Sequence, residues 1–323
     1  MKRSLLLISI VLGISAACLA AINNVSLPYI FQEKYDGRNL KLVKVLSHNG
    51  TYTRYYITYM SGKLKISGIM NVPSGSGPFP VIITAHGFID PRYYTNGRGL
   101  KREQDYLASS GYAVLHPDYR NHAQSGKDPD NNLRLNLGYT EDVINAVYAI
   151  KNSRLTSLDK NNIGILGHSL AGGVALNMMV AKPGLVKAYV LFAPISIDYR
   201  DNFNRWIGRH EGEDEGKVTA KYGAPAMRGR IIALYGLPES NPAFWDNVSP
   251  GTFIKYSTEP VIVHQGTSDK DVPPAWAQKL YKAFKDNGKD IKLYMYKGEG
   301  HEFGAAWPLV MERSVKFFDE YLK

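Results

Sequence analysis

Val81-Ile82-Ile83-Thr84-Ala85 is an apolar run with no residue set aside for solvent. A half-exposed strand alternates polar and apolar residues. An unbroken run of this length therefore reads as a strand covered on both faces. Short buried strands of similar texture are expected at 112–115 and 163–166, and further strands at 186–192, 261–264 and 291–296. Between these runs apolar residues fall at helical spacing, as at Val143, Ile144, Val147 and Ile150. Helices are expected at 103–109, 141–150, 170–180, 276–284 and 308–322. Strands alternating with helices predict an α/β chain, with a mostly parallel central sheet and helices on both faces. Two further strands, 52–59 and 64–72, precede that core and break at Ser61-Gly62.

Residues 195–258 interrupt this rhythm and are too long for a plain loop. They hold Tyr199, Phe203, Trp206 and Trp245, an acidic run from Glu211 to Glu215, and basic residues from Lys217 to Arg230. A helical insertion before the strand at 261–264 is expected there, acting as a lid or a substrate pocket. Its aromatics are either ordinary core or the wall of that pocket.

The chain starts with Lys2-Arg3, an apolar stretch from Leu5 to Leu12, and then small residues through Ala21. That layout predicts a signal peptide over 1–21, followed by one domain over 22–323. The apolar stretch is short beside the roughly 20 residues of a membrane span. An exported protein, periplasmic or extracellular, is expected. Cys18 is the single cysteine, so an intrachain disulfide and a thiolate zinc cluster are excluded. Lipidation at Cys18 or an uncleaved signal would be the routes to a membrane. The 39 Lys+Arg against 29 Asp+Glu give +10, which raises nucleic acid as a partner. The basic residues are scattered among acids, however, so no nucleic-acid partner is expected. No dinucleotide fingerprint or calcium loop occurs, and neither a cofactor nor a metal is expected.

Gly167-His168-Ser169-Leu170-Ala171 lies between an expected strand and an expected helix. A sharp turn in that context pushes a serine hydroxyl out at the top of the sheet. The positions two before and two after the serine meet packed backbone and must be small. Gly167 satisfies this, and Ala171 departs from the usual glycine by one methyl group. A serine hydroxyl is a weak nucleophile, so it needs a base, and the base needs an orienting carboxylate. Asp269 follows the strand at 261–264, with Asp271 as its competitor. His301 follows the strand at 291–296 within Gly298-Glu299-Gly300. Of the eight histidines, His301 alone follows a late strand in such a loop. His264 is expected to pack within its strand and His168 to face the surroundings of the turn. His48, His116, His122 and His210 are read as structural or surface residues. Backbone N–H groups of Leu170 and Phe88 are the expected oxyanion donors, the latter from His86-Gly87-Phe88 after the first buried strand.

These motifs, with Gly111-Tyr112, His116-Pro117-Asp118-Tyr119-Arg120 and Gly266…Asp269…Val272-Pro273, resemble the catalytic domain of the prolyl oligopeptidase family of serine hydrolases. The resemblance implies an α/β-hydrolase fold, a Ser169-Asp269-His301 triad and no metal. It also favours Asp269 over Asp271. Two strands stand where that family carries a large β-propeller. The expected activity is hydrolysis of small ester or short peptide substrates through an acyl-enzyme. Peptidase is the family label, and carboxylesterase is equally open. A non-catalytic binding protein on the same fold is the alternative.

Overall fold

The computed structural model describes residues 24–207 and 225–323. The signal segment 1–21 with Cys18, His210, the acidic run 211–215, Lys217 and Lys221 lie outside the described residues.

The strands are β1 (Arg38–His48), β2 (Tyr52–Ser61), β3 (Leu64–Pro73), β4 (Phe79–Ala85), β5 (Ala113–Pro117), β6 (Leu158–His168), β7 (Ala188–Phe192), β8 (Val261–Gly266) and β9 (Ile291–Tyr296). They form one sheet in the order β1-β2-β3-β5-β4-β6-β7-β8-β9. β1, β2 and β3 pair antiparallel, β3 meets β5 antiparallel, and the pairs from β5 and β4 through to β9 are parallel. The helices used below are α1 (Leu27–Gln32), α2 (Lys101–Ser109), α3 (Leu137–Lys151), α4 (Leu170–Ala181), α5 (Tyr199–Asn202), α6 (Pro225–Tyr235), α7 (Pro242–Asn247), α8 (Pro274–Asp286) and α9 (Trp307–Leu322).

Side chains on a strand alternate between faces, and this divides the core in two. Val81, Ile83 and Ala85 of β4 join Ile163, Ile165, Tyr189, Leu191, Val261 and Val263 against α3, α4 and α8. Ile82, Val114, Leu166, Val190 and Ile262 join the opposite cluster against α2 and α9. The apolar runs are continuous because both faces are dry. At roughly 1.5–3 kcal/mol per buried large apolar side chain, these layers supply the main driving force for the fold.

Two elements were not expected. α1 caps itself through Ser26, whose side chain accepts from the Tyr29 N–H at 3.2 Å. β1 extends the sheet at its edge, with register breaks at three places and Val43 and Val45 more than half exposed. Its lysines and bulges are devices that blunt an edge strand, and they mask the strand pattern. α3 starts earlier than expected, at Leu137, and its added first turn (Leu137, Gly138, Tyr139, Thr140) is buried. The carboxylate of Asp142 accepts from the Arg120 backbone N–H, Nε and Nη2 and from Ser61 Oγ, all within 3.1 Å.

Candidate active site

The parallel strands deliver their carboxyl ends to one rim, where ligands of open α/β sheets gather. Ser169 sits there between β6 and α4, with φ 58° and ψ −119°. A non-glycine residue seldom adopts this conformation, and it persists only where the surroundings impose it. The Ser169 N–H donates to the Phe192 carbonyl oxygen at 2.8 Å, and its own carbonyl accepts from Gly172 and Ile195. The turn is thereby tied to the end of β7. A Cβ on Gly167 would lie 2.5 Å from the Ala171 carbonyl oxygen, so the position before the turn tolerates no side chain. The Ala171 methyl is fully buried.

Asp269 lies just beyond β8 and His301 just beyond β9. His301 Nδ1 is 2.7 Å from Asp269 Oδ2. The other carboxylate oxygen, Oδ1, accepts from the backbone N–H groups of Asp271 and Val272, both at 2.9 Å. Gln265 Nε2 also donates to Oδ2. Burial pushes the Asp269 pKa up, but the bond to His301, that ring's charge, and the Val272 and Gln265 donors outweigh it. The carboxyl is held below its ordinary value. Asp271 contributes its backbone to this cradle, and its side chain is exposed. The Asp and His loops are joined by bonds from the Ser268 N–H to the Glu299 carbonyl and from the Gly298 N–H to Thr267 Oγ1, each at 2.9 Å.

Ser169 and His301 open onto the same cavity of about 300 Å³, which His86, Gly87, Phe88, Trp206, Asp271 and Glu302 also line. A second, more apolar cavity of about 90 Å³ meets it at Phe88, Ser169 and Trp206. Leu170, Ile195, Tyr199, Ile207, Met227 and Ile231 are among its walls. Phe88 and Leu170 thus flank Ser169. The His86-Gly87-Phe88 loop approaches closely because Gly87 lacks a side chain: a Cβ there would lie 3.0 Å from Ser169 Cβ.

Of the four aromatics considered for the substrate wall, Tyr199 and Trp206 line the apolar cavity. Phe203 and Trp245 do not take that place. They are 1% and 0% exposed and pack on each other with ring centroids 4.7 Å apart. Here the core alternative describes them: the π-helical turn is wider than an α-helical one, so three residues fall well short of a full turn and Trp206 presents a different face from Phe203. Phe203 opens a π-helical turn, Phe203–Ile207, of the kind often found at functional sites.

His116 and His122 are not surface residues. They lie buried around His86, behind the His86-Gly87-Phe88 loop, with ring centroids 5.3 and 5.4 Å from the His86 ring. Burial, reinforced by these neighbours, holds His86 well below its ordinary pKa. His122 Nε2 lies 2.9 Å from the Ile89 carbonyl oxygen, so this cluster braces the loop that carries Phe88. A buried histidine cluster assembled from β4, β5 and the following loops has no local sequence signature. His264 packs inside the sheet with Nδ1 2.7 Å from the Tyr296 hydroxyl, and burial lowers its pKa to about 3.

Among the described residues, Asp269, Asp271 and His301 form a group close enough to hold an ion. Their best donor atoms, His301 Nδ1 and Asp269 Oδ2, are already engaged with each other. Also among the described residues, no helix is long and apolar enough to cross a membrane.

A family model described as alpha/beta hydrolase fold matches residues 80–213, and the prolyl oligopeptidase family model matches residues 231–323. The chain is 27% identical over 230 residues to the "uncharacterized peptidase YuxL" of Bacillus subtilis, covering 70% of this chain and 31% of that protein. An acylaminoacyl peptidase of Pyrococcus horikoshii superposes with a TM-score of 0.63 at 22% identity, over 84% of this chain and 42% of that one. Est1E of Butyrivibrio proteoclasticus, solved with ferulic acid, superposes with a TM-score of 0.61 at 19% identity. That match covers 82% of this chain and 98% of Est1E. The chain spans about a third of the length of the curated relative described here. The α/β-hydrolase fold and the resemblance to the catalytic domain of the prolyl oligopeptidase family, whose relatives are hydrolases of peptidase and esterase type, are therefore findings.

Proposed function

We propose that this chain is an exported serine hydrolase that cleaves small ester or short peptide bonds through an acyl-enzyme. The observation that carries the reading is the 2.7 Å pair of His301 and Asp269, with His301 and the strained Ser169 lining one cavity. Asp269 fixes the His301 tautomer by accepting at Nδ1, which leaves Nε2 for the serine proton. Ser169 Oγ attacks the substrate carbonyl while His301 takes its proton. The oxyanion is held by the N–H groups of Leu170 and Phe88, each worth about 3 kcal/mol of transition-state stabilisation. His301 then protonates the leaving group, and water repeats the sequence to release the acid.

The polarity of the two cavities supports an orientation for the substrate. The departing group must lie where His301 can protonate it, which is the larger cavity. The acyl side then enters the apolar cavity of Leu170, Ile195, Tyr199 and Ile231. Export is supported by the basic start and apolar stretch at residues 2–12.

The test is labelling by a fluorophosphonate probe, with Ser169→Ala as control. Labelling should disappear in the variant, and turnover should fall on the order of a million-fold. Labelling that survives in the variant rejects the assignment. Rates on p-nitrophenyl esters of graded chain length, beside prolyl and alanyl anilides, then separate esterase from peptidase.

A further inference from the structure

His168 ends β6 immediately before Ser169, yet its ring is engaged by the loop after β9. His168 Nε2 lies 3.2 Å from the His301 carbonyl oxygen. That oxygen can only accept, so Nε2 carries the hydrogen and donates it. The two imidazoles lie with centroids 4.5 Å apart and planes inclined at 40°. On the side of the oxyanion loop, a Cβ on Gly87 would come within 3.6 Å of His168 Nδ1. His168 thus lies between the elbow, the histidine loop and the oxyanion loop.

The titratable groups facing it are His301 and Glu302 from the loop after β9 and Asp269 from the loop after β8. Glu302 Oε1 is 3.9 Å from Nε2. Burial, with the His301 ring beside it, lowers the His168 pKa to about 4, against the smaller pull of Glu302, the His301 carbonyl and Asp269. The ring is therefore neutral at pH 7.

A base held by Asp269 at one nitrogen can still tilt about that bond, and His301 belongs to a loop. We propose that His168 is a positioning residue for His301, holding its carbonyl through Nε2–H and backing its ring with a neutral partner. This role rests on the reading of Ser169, Asp269 and His301 as a triad. A misplacement of the base by about 1 Å is enough to cost on the order of a hundredfold in rate. A neutral neighbour also adds no like charge when His301 becomes imidazolium.

The experiment compares His168→Phe, which keeps an aromatic ring without the donor, with His168→Gln, which keeps a neutral N–H near the Nε2 position. Rates are normalised to sites titrated by the fluorophosphonate, so that misfolded protein is not counted. The expected result is a drop in kcat of about ten- to a hundredfold for H168F with KM little changed, and recovery of most of it in H168Q. In H168F the looser His301–Asp269 pair stabilises the imidazolium less, so the acid limb of kcat/KM moves to lower pH. The proposal is overturned if H168F matches the unaltered protein. It is equally overturned if H168F exceeds H168Q with the acid limb in place, which is the pattern of simple packing. Absence of fluorophosphonate labelling in the unaltered protein would instead overturn the hydrolase reading, and this role with it.

Discussion

Arg205 Nε donates to the backbone carbonyl of Asp271 at 2.8 Å. The same guanidinium reaches the Lys270 carbonyl through Nη2 at 2.6 Å. The turn that carries Trp206 is thereby fastened to the residues that follow Asp269. The proposed substrate wall and the proposed catalytic carboxylate are thus mechanically linked. Breaking it with Arg205→Ala should raise KM more than it lowers kcat, because Asp269 keeps its own donors from Asp271, Val272 and Gln265. Steady-state kinetics on one ester series checks this, and a fall confined to kcat would contradict it.

Trp206 borders both cavities at Ser169. Trp206→Ala should merge them and relax the discrimination between acyl chains. One methylene in an apolar pocket is worth about tenfold or more in selectivity, so ratios of kcat/KM across p-nitrophenyl esters should shift by about that factor. Unchanged ratios would remove Trp206 from the substrate wall.

Gly87→Ala would place a methyl carbon 3.0 Å from Ser169 Cβ. Either the serine or the oxyanion loop must then shift by a few tenths of an ångström. The expected outcome is a kcat lowered by about ten- to a hundredfold with a nearly unchanged melting temperature. Full activity in this variant would show that the loop has slack that the close contact does not suggest.

Asp269→Asn preserves the shape of the carboxyl group but presents an amide where His301 Nδ1–H needs an acceptor. The wrong tautomer of His301 then faces Ser169, and kcat should fall by about ten-thousandfold. Asp271→Asn should leave most of the activity, since the backbone of Asp271, rather than its exposed side chain, serves Asp269. Equal losses in the two variants would reopen the choice between the carboxylates.

Acid should unfold the protein earlier than its carboxylates require. Burial lowers His116 and His168 to about 4 and His264 to about 3. In the unfolded chain these rings take up protons below about 6.5. Stability is therefore full above neutrality and is lost as pH falls from about 6.5 towards 4. Near pH 5 unfolding should take up about three protons from these groups, a slope on the order of 4 kcal/mol per pH unit. Urea unfolding at pH 7, 6 and 5 checks the sign and size. A flat profile would mean that these rings are not held neutral.

The α/β class and the proposed triad could be read before any coordinates. Strands covered on both faces must be apolar without a break, and that pattern is local. Ser169 and Asp269 each follow such a strand, His301 follows the partly exposed edge strand β9, and the small residues near Ser169 mark the elbow. The choice of Asp269 over Asp271 rested on resemblance, and its geometric basis is the direction of one carboxylate toward Nδ1 of a residue in another loop. β1 carries no such apolar signature, because an edge strand has one paired side and little burial, and lysines and bulges blur its alternation.

Which insertion aromatics face the cavity was settled by packing. Phe203 and Trp206 are equally aromatic and close in sequence, but the pitch of the turn buries one and turns the other toward Ser169. The engagement of His168 with His301 likewise depends on two strands lying a fixed distance apart in the sheet. The sequence by itself determined where the buried strands lie and which chemical groups follow them, because both are matters of local composition. The tertiary structure decided which of those groups meet, because contact between distant residues depends on strand order, register and the direction of each side chain.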